Sequence, residues 1–308
     1  MFETEMRTTQ VFMDFFRSIR HDISRQAVRE VLLAAHGKKV SRLCIHETQI
    51  PWLTRVLEEA GLWVDLYHHK QVLAPDYGKG GWISGYGLEV PVDSLLSGYV
   101  LMYIGTNPDK VLAAKKAEHS HNYGEFGSLL GYPPCCIDFY EAHLARAESE
   151  QGDFVLPLLE QSTHTLSEKA VTFPYWTNVA AQYFDYGLLS FYPCSFFCKA
   201  AMQQAQEAWS LIQAYDHELA EAYLIAAKMP ILYTEYEGVF AFRNAHLEGN
   251  MLSYDKEAVE CTMNGVIAAI LGQADIVKIH SNQSIDILNG TSLVAHLESS
   301  RFGMLLFA

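Results

Sequence analysis

This chain is short of the features that most directly announce a function. No apolar run approaches the roughly 18 residues of a membrane span, and Met1-Phe2-Glu3-Thr4-Glu5-Met6-Arg7 shows neither the charge pattern nor the apolar stretch of a signal peptide. Basic charge is scarce and scattered: 22 Lys and Arg stand against 36 Asp and Glu, a formal charge of −14. A chain without a positive face makes a poor partner for a phosphate backbone, so nucleic acid and membrane are left out of the expected partners. Cysteine is sparse as well, six in 308 residues. That is too few for a disulfide framework, and we expect a cytoplasmic protein whose thiols stay reduced as ligands or core fillers. There is no internal repeat, no low-complexity stretch, no Gly-x-Ser-x-Gly elbow and no His-Glu-x-x-His helix. Gly78-Lys79-Gly80-Gly81 lacks the spacing and the Lys-Ser or Lys-Thr pair of a phosphate loop. Half of the residues are hydrophobic, so a sizeable core needs no cross-links.

What the chain does have is two cysteine clusters, Gly131-Tyr132-Pro133-Pro134-Cys135-Cys136 and Tyr192-Pro193-Cys194-Ser195-Phe196-Phe197-Cys198. A proline stands directly before the first thiol of each, and good helix formers follow both. Proline is favoured at the first helical position, where its missing N–H has no partner to lose. Both clusters are therefore expected at helix starts, where unpaired N–H groups and the helix dipole favour thiolates. Cys194 and Cys198, spaced i and i+4, then share a helix face. Two such starts brought together make a four-sulfur site. Consecutive helical side chains point about 100° apart, which makes Cys135 and Cys136 awkward on one tetrahedral zinc. An iron–sulfur cluster spreads its thiolates over separate irons. Iron–sulfur is thus the preferred cofactor and zinc the alternative. Cys44, in an apolar strand, and Cys261, in an apolar helix, are expected to be buried fillers.

Other polar constellations are weaker. His119 and His121, alternate in Glu118-His119-Ser120-His121, point the same way if the chain is extended there and then serve as catalytic or metal candidates; a solvated turn is the plainer reading. His46 and His68-His69 are expected at strand ends, where ligands collect in α/β layers. Asp185 is a further catalytic candidate, placed with Asn178 two turns apart on one helix.

Apolar spacing supplies the frame. A helix is expected from about Gln10 to His36, closed by Gly37. The runs Val40 to His46, Pro51 to Glu59 and Leu62 to His68 read as a βαβ unit. The glycine-rich stretch Asp76 to Ser94 reads as a long loop or loose hairpin, its part Asp76 to Gly87 expected near the pocket with His119 and His121. Gly98 to Ile104 is a strand, and Asn107-Pro108 starts a helix through Glu118. A largely helical centre runs on to Lys228, ending in one helix from Lys199 whose stripe of Ala201, Ala205, Trp209, Ile212, Tyr215, Leu219, Tyr223 and Ala226 faces the core. Ile231 to Tyr236 and Val239 to Phe242 flank Glu237-Gly238 as a hairpin, Asp255 caps a helix through about Leu271, and Asn289-Gly290 turns a second hairpin.

The segment Leu129-Leu130-Gly131-Tyr132-Pro133-Pro134-Cys135-Cys136-Ile137-Asp138-Phe139-Tyr140, followed by Pro193-Cys194-Ser195-Phe196-Phe197-Cys198, resembles the prokaryotic family catalogued as domain of unknown function number four hundred and eighty-three. The likeness covers Gly98 to Gln206 and is carried by the cysteines. It also implies a histidine near Phe191 or Tyr192. This chain has none there, so that role is vacant or passes to His119 or His121.

Together these readings give an α+β protein in three parts: an N-terminal helix and α/β layer over 1–120, a helical cysteine region over 121–228 and a C-terminal hairpin-containing region over 229–308. The expected function is that of a metalloprotein, an enzyme acting on a small molecule at Cys135, Cys136, Cys194 and Cys198. A zinc-stapled interaction protein without catalysis and a thiol–disulfide oxidoreductase are the alternatives.

Overall fold

Ser24 decides where the first fully described helix begins, because its side chain can accept the N–H groups that a helix start leaves over. In the computed structural model, which describes residues 19–73, 87–149, 153–163 and 170–308, Ser24 Oγ accepts from Ala27 N and α1 spans Arg25–Ala35. The single helix expected from Gln10 is thus interrupted at this cap, and residues 10–18 lie outside the described part. Gly37 follows at φ +104°, as a helix-closing glycine should.

Packing divides the chain into two units. The first is formed by the described residues of Met1–Ala74, Tyr86–Glu141 and Glu207–Ala220. Here α1 is followed by β1 (Ser41–His46), α2 (Ile50–Glu59), β2 (Trp63–Leu73), β3 (Gly87–Pro91), β4 (Tyr99–Gly105) and α3 (Pro108–His119). The sheet order is β1-β4-β2-β3, and every pairing is antiparallel. The expected βαβ unit is therefore present in split form: β1 and β2 run the same way with β4 inserted between them. Alternation along β4 places Tyr103 in a core with Val111, Ala114 and Ala117 of α3. Val100, Met102 and Ile104 are buried on the opposite face with Leu43 and Ile45 of β1, and α1 packs against these two strands. Asn107 accepts from Lys110 N to start α3, as expected. Of the glycine-rich stretch, residues 74–86 lie outside the described part, and β3 closes a hairpin on β2 with Lys70 opposite Val90. α4 (Tyr123–Leu129) and the first turns of α5 (Pro134–Ser149) complete this unit.

The second unit is formed by the described residues of Ala142–Gln206 and Glu221–Ala308. It contains α6 (Val155–Thr163), β5 (Thr172–Phe173) and two 3₁₀ turns, Tyr175–Thr177 and Val179–Phe184. Two helices follow in the chain, α7 (Lys199–Tyr215) and α8 (His217–Ala227), where one was expected. Asp216 causes the break, its carboxylate accepting from Leu219 N to cap α8. The expected stripe survives in part: Ala201, Ala205, Ile212, Tyr223 and Ala226 are buried, and past the break Ala220 takes the inner place beside half-buried Leu219.

Ten strands, β5 among them, then build two sheets. β6 (Ile231–Thr234), β7 (Val239–Phe242), β8 (His246–Glu248), β9 (Met251–Ser253) and β10 (Val259–Cys261) precede α9 (Val266–Leu271); β11 (Ile276–Ser281), β12 (Ser284–Asn289), β13 (Ser292–Glu298) and β14 (Phe302–Phe307) follow it. The orders are β10-β7-β6-β14-β5 and β13-β12-β11-β9-β8. Both hairpins read from sequence are present, with Gly238 and Gly290 at positive φ in their turns. Phe240, Phe242, Leu252, Val277, Ile285, Ile287 and Met304 form one core shared by both sheets and α9. Asp255, expected to cap a long helix, caps a 3₁₀ turn before β10. β14 lies between β6 and β5, and a Cβ on Gly303 would come within 2.5 Å of Leu159 on α6. Any larger residue there would have to displace the buried Leu159 side chain. The fold is mixed α+β, with strands at both ends of the chain and helices in the middle, and no described helix is long and apolar enough to cross a membrane.

Candidate metal centre

The first cysteine pair stands where the prolines set it. Tyr132 N donates to Gly127 O (2.9 Å) past Gly131 at φ +77°, closing α4. Cys136 N and Ile137 N then donate to Pro133 O at 2.9 and 3.1 Å, so α5 opens with Pro134 in its first position and both cysteines in its first turn. Gly127 fixes the approach of the two helices, since a Cβ there would lie 2.9 Å from Ile137 Cγ1.

The second pair is held differently. Pro193 does not start a helix, and α7 begins only at Lys199. Cys198 N donates to Ser195 O (2.9 Å), and Cys198 O accepts from Met202 N (3.0 Å), which makes Cys198 the cap of α7 and Ser195–Cys198 a turn. The expected shared helix face of Cys194 and Cys198 is corrected accordingly: a turn, not the 3.6-residue helical period, relates them. Anchors distant in sequence fix this turn. Ser162 Oγ, on α6, accepts from Phe196 N (2.9 Å), and Thr177 Oγ1 donates to Phe196 O (2.6 Å). The Phe196 ring, fully buried, lies 4.5 Å from Phe173 and 5.8 Å from Phe307 between centroids. Sequence reasoning found neither Ser162 nor Thr177, because nothing local marks them.

The sulfurs of Cys135, Cys136, Cys194 and Cys198 all lie within 4.8 Å of one another, with Cys135 Sγ and Cys136 Sγ 3.9 Å apart. The sulfurs of these adjacent helical residues thus lie near each other despite the angle between their side chains. Cys136 (1 % exposed) and Cys198 (8 %) are buried, Cys194 is half-buried and Cys135 is exposed. In ligand type and spacing the set could hold a metal ion, sulfur being a soft donor suited to a thiophilic one.

A buried polar group is linked through Tyr183 to Tyr192, two residues before Cys194. Asp153 accepts from Val155 N (2.9 Å) at the start of α6, from Tyr233 OH (2.9 Å) and from Tyr183 OH. Burial raises its carboxyl above the usual range, and these hydrogen bonds oppose the rise. Burial likewise pushes the hydroxyls of Tyr183 and Tyr192 well up. Tyr192 OH accepts from Gln182 Nε2 (3.1 Å), so the residue two before Cys194 is tied into the interior.

The other candidates stand elsewhere. His119 ends α3, with Nδ1 3.3 Å from Tyr67 OH, and His121 has φ +55° in the turn that follows, with Nδ1 3.0 Å from Tyr123 OH. They are not alternate residues of an extended segment, and among the described residues the metal-ligand group holds four cysteines and no histidine. His68 and His69 fall inside β2 rather than at its end, while His46 does end β1. Asn178 and Asp185 cap opposite ends of the 3₁₀ turn Val179–Phe184 instead of sharing a helix face; Asn178 Oδ1 accepts from Ala181 N and its Nδ2 donates to Ala227 O (3.0 Å). Cys44 and Cys261 are exposed, not core fillers: Cys44 faces out of β1, and Cys261 is on strand β10 rather than in a helix.

Fold and site thus define a mixed α+β protein with a four-cysteine site that could hold a metal ion. Residues 106–223, which carry both cysteine clusters, match the family described as Protein of unknown function (DUF483), bearing out the resemblance seen in the sequence. No curated protein and no solved structure matches the chain.

Proposed function

We propose that this chain is a metal-stapled protein in which a single tetrahedral ion of the zinc class joins the start of α5 to the turn that caps α7. One observation carries the reading: all four sulfurs fit within 4.8 Å of one another. Tetrahedral zinc with Zn–S bonds of about 2.3 Å sets its sulfurs about 3.8 Å apart, and the vicinal pair lies at 3.9 Å. Ligands spread over the separate irons of an iron–sulfur cluster stand further apart than ligands sharing one ion. The spacing therefore favours one ion over the cluster, and zinc over the cofactor first expected. Coordination by four cysteines is the closed, structural form of such a site and keeps no position for a substrate. The ion's work is then to hold two segments in register, as suits a reducing compartment where thiols remain available to metal.

Metal analysis of protein purified without oxygen tests this directly. The expected result is a colourless protein with one zinc per chain, whose content collapses in Cys136→Ser and Cys198→Ser, and whose melting temperature falls on chelation. Brown protein with iron and acid-labile sulfide overturns the one-ion reading.

A further inference from the structure

The four ligands are unequal in a way that points to regulation. Cys136 and Cys198 form a buried floor, whereas Cys135 is exposed and Cys194 half-buried. Metal-bound thiolates remain nucleophiles, and oxidation selects the accessible ones. We propose that the site is an oxidation-labile staple: a hydroperoxide converts Cys135 and Cys194 to a disulfide and releases the ion. This rests on the one-ion reading above.

The chemistry balances with the peroxide as sole oxidant. The Cys135 thiolate attacks the outer peroxide oxygen, the O–O bond breaks, and the leaving oxygen takes a proton to depart as water or alcohol. Cys135 is then a sulfenic acid. The Cys194 thiolate attacks its sulfur, forming the S–S bond, and the hydroxide leaves as water with a second proton. Two thiolates have lost two electrons to one peroxide. The two cysteines that remain are half of a tetrahedral site, and the ion dissociates.

Geometry selects the pair. Neighbouring Cα atoms stand about 3.8 Å apart across a trans peptide, closer than the roughly 4.4–6.8 Å of ordinary disulfides. Cys135 and Cys136 cannot bridge without undoing the first turn of α5. Cys194 and Cys198 lie within 4.8 Å at sulfur, and of the two Cys194 is the more accessible to solvent and to the exposed sulfenic acid.

Zinc-loaded full-length protein is treated with one to five equivalents of hydrogen peroxide, with zinc release followed by a chromogenic chelator and disulfides mapped by non-reducing peptide mass spectrometry. One zinc released per Cys135–Cys194 bridge, reversed by dithiothreitol and zinc, is expected. The Cys44→Ser/Cys261→Ser double variant, altered at the exposed thiols outside the site, should release zinc to the same extent. Zinc retained while Cys44 or Cys261 oxidises overturns the switch and leaves the staple standing. A dominant Cys135–Cys198 bridge overturns the pairing, and a chain that takes up no zinc overturns both readings.

Discussion

Ser162→Ala tests how the second cysteine turn is held. Ser162 lies on α6, 4 % exposed, and its Oγ donates to Leu158 O (2.7 Å) while accepting from Phe196 N (2.9 Å). Phe196 is fully buried, so no water replaces the lost acceptor. A buried donor left without a partner costs about 1–3 kcal/mol. If that loss falls on the preorganisation of Cys194 and Cys198, binding of the proposed zinc ion weakens by about 5- to 150-fold, at about 1.4 kcal/mol per factor of ten. Thr163→Ala is the control: its Oγ1 donates within its own helix to Leu159 O (2.8 Å), so its removal should cost under about 0.5 kcal/mol. Urea unfolding of the zinc-free and zinc-loaded forms, with zinc affinity from chelator competition, measures both variants. Indistinguishable behaviour of the two would refute the reasoning, because the cross-chain bond to Phe196 would then be idle.

Two further outcomes concern the units separately. Gly303→Ala should destabilise by about 1–3 kcal/mol, since its Cβ would meet Leu159 at 2.5 Å, and Leu159→Ala in the same chain should recover part of the loss; additive costs in a double-mutant cycle would deny the contact. In the first unit, burial pushes the Glu30 carboxyl up, but attraction to Lys38 and Arg29, with a Lys38 Nζ hydrogen bond at 2.5 Å, outweighs it and holds the group down to about 2. Because the folded value lies below the ordinary 4.5, the unfolded chain binds more protons between them. This stability, on the order of 3 kcal/mol, is present above about pH 4.5 and is lost as pH falls towards 2. Glu30→Gln should flatten that part of the acid limb and, near neutrality, lose about 3–5 kcal/mol through uncompensated Arg29 and Lys38. An unchanged urea midpoint across pH 2.5 to 7 would rule this out.

Sequence reasoning succeeded where a signal was local and failed where a partner lay far along the chain. Asn107-Pro108, Glu237-Gly238 and Asn289-Gly290 specify a cap and two turns through their own backbone preferences, and each stands where expected. Pro134 likewise starts α5. Pro193 carried the same local signal, yet Ser162 and Thr177 hold the main chain of Phe196 outside a helix. Asp216 was a cap hidden in a good helix-forming run. Cys135 and Cys136 were read as awkward on one tetrahedral zinc from the angle between consecutive helical side chains; rotamer freedom, which that angle leaves out, places their sulfurs 3.9 Å apart.

By itself the sequence determined the mixed α+β class, the four thiols and the start of the helix behind the first pair, because caps, prolines and apolar periods act over a few residues. Tertiary structure alone decided that β4 enters between β1 and β2, that the final strand lies between β6 and β5, and that the second pair sits on a turn. It also decided how closely four sulfurs approach. Such distances depend on contacts between residues tens of positions apart, whose energy is realised only when the whole chain has packed.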